Sequence, residues 1–315
     1  MKVLLIGGFG FIGCHLIEAL RGSHSLAVFS DAAGAQRTPG VLSTLKDLAV
    51  DIGDVEDSDS TIKAILKHNP HAVVHLAALT GLKRCEENPR LAFSVNVLGT
   101  YNVAIGCVAC RSKLIFISSR EVYGETASTA TQEDDPLVPN NLYGITKMLA
   151  ERIVLWAGLK HNLDYTILRL TNVYGPGGDQ YNIQGMIRSA FAKGKIQVLG
   201  GKQQLNLVYV RDVAEIVSRA LEDDQSSKQI LNIGSNDSLS VDDIVQRLVP
   251  LLNPKPSIKH VPMRNGETRR FIPSLRKLEK TLQCTPTTSL EQGFRETVEW
   301  YRIKRDSGIG FSKPS

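Results

Sequence analysis

The chain has 315 residues, 42% hydrophobic and 22% charged, the usage of an ordinary globular protein rather than a disordered or fibrous one. That length suits one large α/β unit or two closely joined domains, with a core large enough to need no disulfide or metal staple. The net charge of +5 is modest and spread along the chain, which excludes the dense basic patch of a nucleic-acid binder and suits a cleft for an anionic substrate, and no apolar run reaches the ~18 residues of a membrane span.

In chain order, Lys2–Ile6 is a short apolar run ending in glycines, and a helical pattern follows it to Leu20. This N-terminus has the charge and apolarity of a secretory leader. Its glycines fall where a strand–turn–helix needs them, however, and no small-residue cleavage site follows, so the expected compartment is the cytoplasm. Leu26–Ser30, Val73–Ala77, Leu114–Ser118 and Thr166–Leu170 read as further strands, with helical patterns at Thr61–Lys67, Pro89–Cys110 and Tyr143–Leu159 between them. Continuous apolar strands alternating with helices predict a parallel sheet covered on both faces. The five cysteines are an odd number, which agrees with reduced thiols. Cys107 and Cys110 form a C-x-x-C without a second pair, so both read as core helix cysteines and no metal site is expected.

After Gly175-Pro176-Gly177-Gly178 the pattern is less regular. Helices are expected at Ile183–Lys193, Asp212–Leu221, Val241–Leu252 and Leu290–Tyr301, and strands at Ile196–Leu199, Leu207–Val210, Ile230–Ile233 and Ser257–Val261. The expected division is a Rossmann-type nucleotide-binding domain over 1–172, with 207–235 crossing back to it. A smaller mixed α/β lobe for the substrate would comprise 173–206 and 236–305, and 306–315 would be a frayed tail.

Gly7, Gly10 and Gly13 space a turn between the first strand and the first helix, and Phe11 and Ile12 open that helix. A tight turn, a close backbone approach to a pyrophosphate and close helix–strand packing each call for glycine at such spacing. Asp31 stands just after the second strand, where its carboxylate would accept hydrogen bonds from ribose hydroxyls and repel a 2′-phosphate, favouring NAD over NADP. Tyr143 and Lys147 form a Y-x-x-x-K on one face of one helix. A phenol with a pKa of ~10 is a poor base, and lowering it to ~7 takes about 4 kcal/mol, which a nearby ammonium and a positive nicotinamide ring supply in a dry site.

With these motifs on view, the chain resembles the extended short-chain dehydrogenase/reductases, among them the NAD-dependent nucleotide-sugar epimerases and dehydratases of the UDP-glucose 4-epimerase type. Gly7–Gly13 is similar to the family's T-G-G-x-G-F-I-G, with Ile6 in place of Thr. Val50-Asp51-Ile52-Gly53-Asp54 resembles its G-D-I-x-D, His75-Leu76-Ala77-Ala78 its H-L-A-A, and Asn96-Val97-Leu98-Gly99-Thr100 its N-x-x-G-T. The resemblance thereby implies cofactor contacts from Asp51, Ile52, Leu76, Ala77, Ala78 and Asn96, besides Tyr143 and Lys147. Ser118-Ser119-Arg120-Glu121-Val122-Tyr123-Gly124 resembles S-S-x-x-V-Y-G, which makes Ser119 the residue that hydrogen-bonds the reacting hydroxyl or ketone. Asn172 and Arg264 match residues that meet the substrate diphosphate, and Val198 and Leu199 lie on the strand matching the one beside the nucleotide base. Leu205 departs from the pattern by standing where most relatives have Arg; Arg188, Lys202 or Arg269 would have to replace that phosphate clamp.

The resemblance implies a nucleotide-sugar 4-epimerase working through a transient 4-keto sugar, and a homodimer paired through the helices at Asn96–Cys110 and Tyr143–Leu159. Glu121 keeps a second reading open: dehydratases and uronate decarboxylases of the family often carry Glu there, where it serves elimination chemistry. Arg120 stands where the acidic partner of a dehydratase would be. A third reading, an NAD-sensing binding protein without catalysis, is disfavoured because both Tyr143 and Lys147 are present.

Overall fold

The computed structural model describes residues 1–37, 48–126, 130–178, 182–263 and 266–307. Its strands are β1 (Lys2–Ile6), β2 (Ser25–Ser30), β3 (Ala49–Ile52), β4 (Ala72–His75), β5 (Lys113–Ser119), β6 (Tyr165–Leu170), β7 (Asn172–Tyr174), β8 (Lys195–Leu199), β9 (Gln204–Tyr209), β10 (Gln229–Ile233), β11 (Ser238–Ser240) and β12 (Ser257–Val261). The helices are α1 (Phe11–Leu20), α2 (Ala32–Arg37), α3 (Ser58–His68), α4 (Leu82–Glu87), α5 (Pro89–Phe93), α6 (Gly99–Cys110), α7 (Leu142–His161), α8 (Asn182–Lys193), α9 (Val210–Glu222), α10 (Val241–Leu248), α11 (Arg276–Leu282) and α12 (Leu290–Asp306).

Seven strands make one sheet in the order β10-β6-β5-β4-β1-β2-β3, with every neighbouring pair parallel. Successive side chains of a strand point to opposite faces, and here both faces are apolar. Val3, Leu5, Val28, Val74 and Ile115 pack with Leu16 and Ile17 of α1 and Val213 and Val217 of α9. Leu4, Ile6, Phe29, Val73 and Phe116 pack on the other side with Ile65 of α3, Val103 of α6 and Val154 of α7. Truncating one such fully buried side chain to alanine costs about 2–5 kcal/mol. From β1 the chain builds outward through β2 and β3, then returns to place β4 on the opposite flank of β1. That reversal opens a crevice at the carboxyl ends of β1 and β4, the usual ligand position of such a sheet.

A second core collects Ile183, Ile187, Val198, Leu207, Ile244, Leu248, Phe294 and Tyr301. Around it stand a three-stranded sheet, β11-β9-β7, and the parallel pair β12-β8. Of the stretch 207–235, β9 pairs with β7 and β11, while α9 packs on the large sheet and β10 extends it beside β6. Residues 308–315 of the expected tail lie outside the described residues.

Two expected helices are subdivided. Pro89–Cys110 is α5 and α6 joined by a π-turn over Ser94–Leu98; the widened turn surrounds Asn96, whose side chain is turned inward and hydrogen-bonded, a usual setting for a π-bulge. By length and composition this stretch could cross a membrane, yet half of its most apolar window is buried, with Val103, Ala104 and Cys107 wholly covered. Helix α10 stops at Leu248 and a 3₁₀ turn over Val249–Leu251 follows, because Pro250 has no N–H to continue the α-helical ladder.

Candidate active site

The glycine turn is built by contact. Gly7 has φ +79°, and a Cβ there would lie 2.6 Å from the Ala77 nitrogen; a Cβ on Gly13 would lie 2.3 Å from the Gly8 oxygen. Leu76 and Ala77 both donate their backbone N–H to the Ile6 oxygen, at 2.8 and 2.9 Å, which closes β4 onto β1 beside half-buried Ala78. Gly10 caps α1 without a side-chain hydrogen bond, so the first amides of the helix, from Phe11 and Ile12 onward, remain open to an anion. Asp31 is held at the end of β2, its Oδ1 accepting from Gly34 N at 2.9 Å and from Ser30 Oγ at 3.4 Å. A Cβ-free cradle, open helix amides and a fixed ribose-height carboxylate together fit an adenine dinucleotide. At the sheet edge Ile52 is exposed. Asp51 is bonded to Lys67 Nζ and His68 Nε2, each at 2.5 Å. Partial burial pushes that carboxyl up, but the hydrogen bonds from Lys67 and His68 outweigh it and hold it below the usual range.

Asn96 ties the cofactor crevice to the catalytic helix. Its Oδ1 accepts from Leu79 N at 2.8 Å, and its Nδ2 donates to Leu79 O at 3.1 Å and to Thr146 Oγ1 at 2.9 Å.

Ser119 ends β5 and its Oγ accepts from Glu121 N at 3.2 Å, which leaves the hydroxyl proton free to donate elsewhere. Tyr143 lies in the first turn of α7, half-buried against Leu79, Cys85 and Ala92. That turn is pressed onto the 3₁₀ turn Arg120–Val122 that follows β5, since a Cβ on Gly144 would lie 2.3 Å from the Glu121 oxygen. Lys147, one turn on, is 2% exposed, with Nζ 4.2 Å from the Phe116 ring centroid. Burial pulls its ammonium down to about 7, opposed by the Glu151 carboxylate. The site therefore holds a lysine that changes charge near neutrality.

The Glu121 carboxylate is occupied at both oxygens. Arg120 NH2 lies 2.6 Å from Oε1, and Asn141 Nδ2 donates to Oε2 at 2.8 Å. Asn141 also caps α7, accepting from Gly144 N at 2.9 Å, and donates to the Gly266 oxygen at 3.2 Å. Behind the site, Glu151 is 1% exposed and accepts from Ser118 Oγ at 2.5 Å and from Arg169 Nε and NH2 at 3.0 and 2.7 Å. Asn141, Glu151 and Arg169 were not singled out from the sequence. An Asx cap signal before Tyr143 and an i,i+4 step from Lys147 were the available hints for the first two; Arg169 looked like any residue of a buried strand.

On the substrate side, Asn172 opens β7 and donates to the Asn206 oxygen at 3.0 Å. Val198 is buried in β8 and Leu199 half-buried, its carbonyl accepting from Gln203 Nε2 at 2.6 Å. Leu205 packs against the second core. Its neighbour Gln204 donates from N to the Arg269 oxygen at 2.8 Å, so exposed Arg269 stands beside the position where relatives carry Arg. Arg264 lies outside the described residues.

The fold and crevice define a dinucleotide-dependent enzyme built on a doubly wound sheet. The chain belongs to the NAD dependent epimerase/dehydratase family, whose model matches residues 3–234, and NAD is its cofactor. It is 31% identical over 319 residues to a UDP-N-acetyl-alpha-D-glucosaminuronate decarboxylase of Bacillus cytotoxicus, covering 96% of this chain and 98% of that one. It is 28% identical over 308 residues to a putative UDP-glucose 4-epimerase of Methanocaldococcus jannaschii, covering 95% and 98%. Among solved structures, a UDP-glucuronic acid 4-epimerase of Bacillus cereus in complex with UDP-glucuronic acid and NAD superposes with a TM-score of 0.89 at 25% identity, covering 96% and 99%.

Proposed function

We propose that the enzyme is a nucleotide-sugar 4-epimerase in which Ser119, Tyr143 and Lys147 handle the sugar's C4 hydroxyl. The observation that supports this reading most is the close packing of the first turn of α7, which carries Tyr143, on the 3₁₀ turn that follows Ser119, Gly144 against Glu121. NAD, when bound, supplies the reversible hydride acceptor. Ser119 donates its free hydroxyl proton to the C4 oxygen and orients it. Tyr143 takes the proton of that hydroxyl and later returns it, and the Lys147 ammonium favours the phenolate. Both Glu121 oxygens are engaged by Arg120 and Asn141, which leaves Glu121 a fixed pocket wall rather than a ready base. Arg269 stands in for the clamp missing at Leu205, and the bound molecule is a nucleotide-sugar anion.

A second reading, decarboxylation of a uronate through the same C4 ketone, is favoured by the 31% identity to the Bacillus cytotoxicus uronate decarboxylase. Incubation with a panel of nucleotide-sugars in D₂O, read by NMR, separates the two. Epimerisation gives the C4 epimer with no deuterium on carbon, because the hydride returns to the carbon it left. Deuterium at C5 or C6, or a pentose product, would reject simple 4-epimerisation.

A further inference from the structure

We propose that the Arg120 guanidinium forms a carboxylate-binding subsite, so that the sugar taken by this enzyme is a nucleotide-linked uronate rather than a neutral hexose. The inference rests on the reading that the site takes a nucleotide-sugar, and it names the sugar's class.

Arg120 directly follows Ser119 and is 7% exposed. A guanidinium carries five N–H donors and no acceptor. Among the described residues, its side chain has two partners: Glu121 Oε1, 2.6 Å from NH2, and the Phe271 ring, whose centroid lies 5.8 Å from Cζ. No Arg120 nitrogen is among the sealed side-chain atoms that lack a partner, so the remaining donors keep contact with accessible space. Burying so much of an arginine for one carboxylate contact is unfavourable unless its other donors are used.

The group is also held still. Asn141 anchors the far oxygen of Glu121 at 2.8 Å and reaches the Gly266 oxygen at 3.2 Å. The ion pair is therefore fixed where the end of β5 meets the segment carrying Gly266 and Phe271. A guanidinium whose rotamer is already set loses little freedom on binding a second carboxylate through its open edge.

Chemistry places that second carboxylate on the sugar. With the C4 oxygen at Ser119, the C6 substituent is two bonds from C4, and Arg120 is the next residue along the chain from Ser119. A hydroxymethyl group offers one neutral acceptor, whereas a C6 carboxylate offers two charged oxygens matched to the guanidinium fork.

Calorimetry on the NAD-loaded Tyr143→Phe protein, which holds substrate without turning it over, tests the subsite apart from the reaction. The probes are UDP-glucuronate against UDP-glucose, and the corresponding dTDP-sugar pair. The uronate is expected to bind about 10- to 100-fold tighter, the value of charge-assisted hydrogen bonds, and Arg120→Met should collapse that ratio. Because Arg120→Met strands Glu121, the double variant Arg120→Met with Glu121→Gln repeats the measurement without a lone buried charge, with NAD content and melting checking the fold. A uronate that binds no better than the hexose, or a ratio that Arg120→Met leaves unchanged, overturns the subsite. Wild-type turnover then separates the two ideas. A uronate preference with a pentose product sinks the epimerase reading and keeps the subsite, epimerisation with a hexose preference does the reverse, and binding of no nucleotide-sugar sinks both.

Discussion

Replacing Glu151 by Gln probes the buried pair that joins the catalytic helix to the sheet. Glu151 and Arg169 are 1% and 3% exposed, and the carboxylate takes hydrogen bonds from Ser118 Oγ and from Arg169 Nε and NH2. Glutamine keeps the shape but removes the charge, and it turns an NH2 toward a group that can only donate. Stranding one partner of a buried pair costs about 3–5 kcal/mol, which for a chain of this size lowers Tm by roughly 6–20 °C at ~2–4 °C per kcal/mol. The same change acts on Lys147. Burial lowers its pKa to about 7 while Glu151 raises it, so loss of that carboxylate moves the pKa lower still. If the protonated lysine supports turnover, activity is lost as pH rises through that pKa, and the alkaline limb of the pH–rate profile shifts to lower pH. Thermal melting of the NAD-loaded variant and product formation followed between pH 5 and 9 read both effects. The pair replacement Glu151→Met with Arg169→Met should recover much of the stability, since no lone charge remains, yet keep the displaced limb. A fall in Tm of under about 2 °C, or an unmoved limb, would refute the reasoning.

Tyr143→Phe should abolish turnover while NAD content, measured after denaturation, stays as in the wild type; near-normal activity would remove Tyr143 from the proton path. His75 is buried with Nδ1 lacking a partner, and burial, reinforced by Lys147, lowers its pKa to about 3. Between that value and the unfolded value of ~6.5, the unfolded chain binds a proton that the native one does not, so stability falls as pH falls through this window. His75→Gln should flatten the acid limb of unfolding free energy by up to ~1.4 kcal/mol per pH unit, and parallel limbs for the two proteins would contradict it. Leu98 of the π-turn, Tyr101 of α6, and Trp156 and Leu159 of α7 are 57, 43, 39 and 81% exposed, and the Tyr101 and Trp156 rings stack at 6.2 Å. A homodimer covering this face is expected in sedimentation equilibrium, and a stable monomer at micromolar concentration would count against it.

Local pattern was enough for much of this protein. The bounds of β1 are those of its apolar run, the glycine turn follows from backbone geometry, and Tyr143 and Lys147 share a helix face because helical period requires it. The short elements β3, β7, β11, α4 and α11 carry too few residues to display a period. They exist because neighbouring strands or core residues complete them, as β9 does for β11 and for β7. The division of Pro89–Cys110 by a π-turn likewise depends on Asn96 finding partners at Leu79 and Thr146, 17 and 50 residues away. Glu121 shows the limit most clearly. Its motif alone left both a base and a pocket wall open, because a carboxylate's role is set by what touches its oxygens. Its partners, Arg120 beside it and Asn141 20 residues on, were decided only when α7 packed across the end of β5.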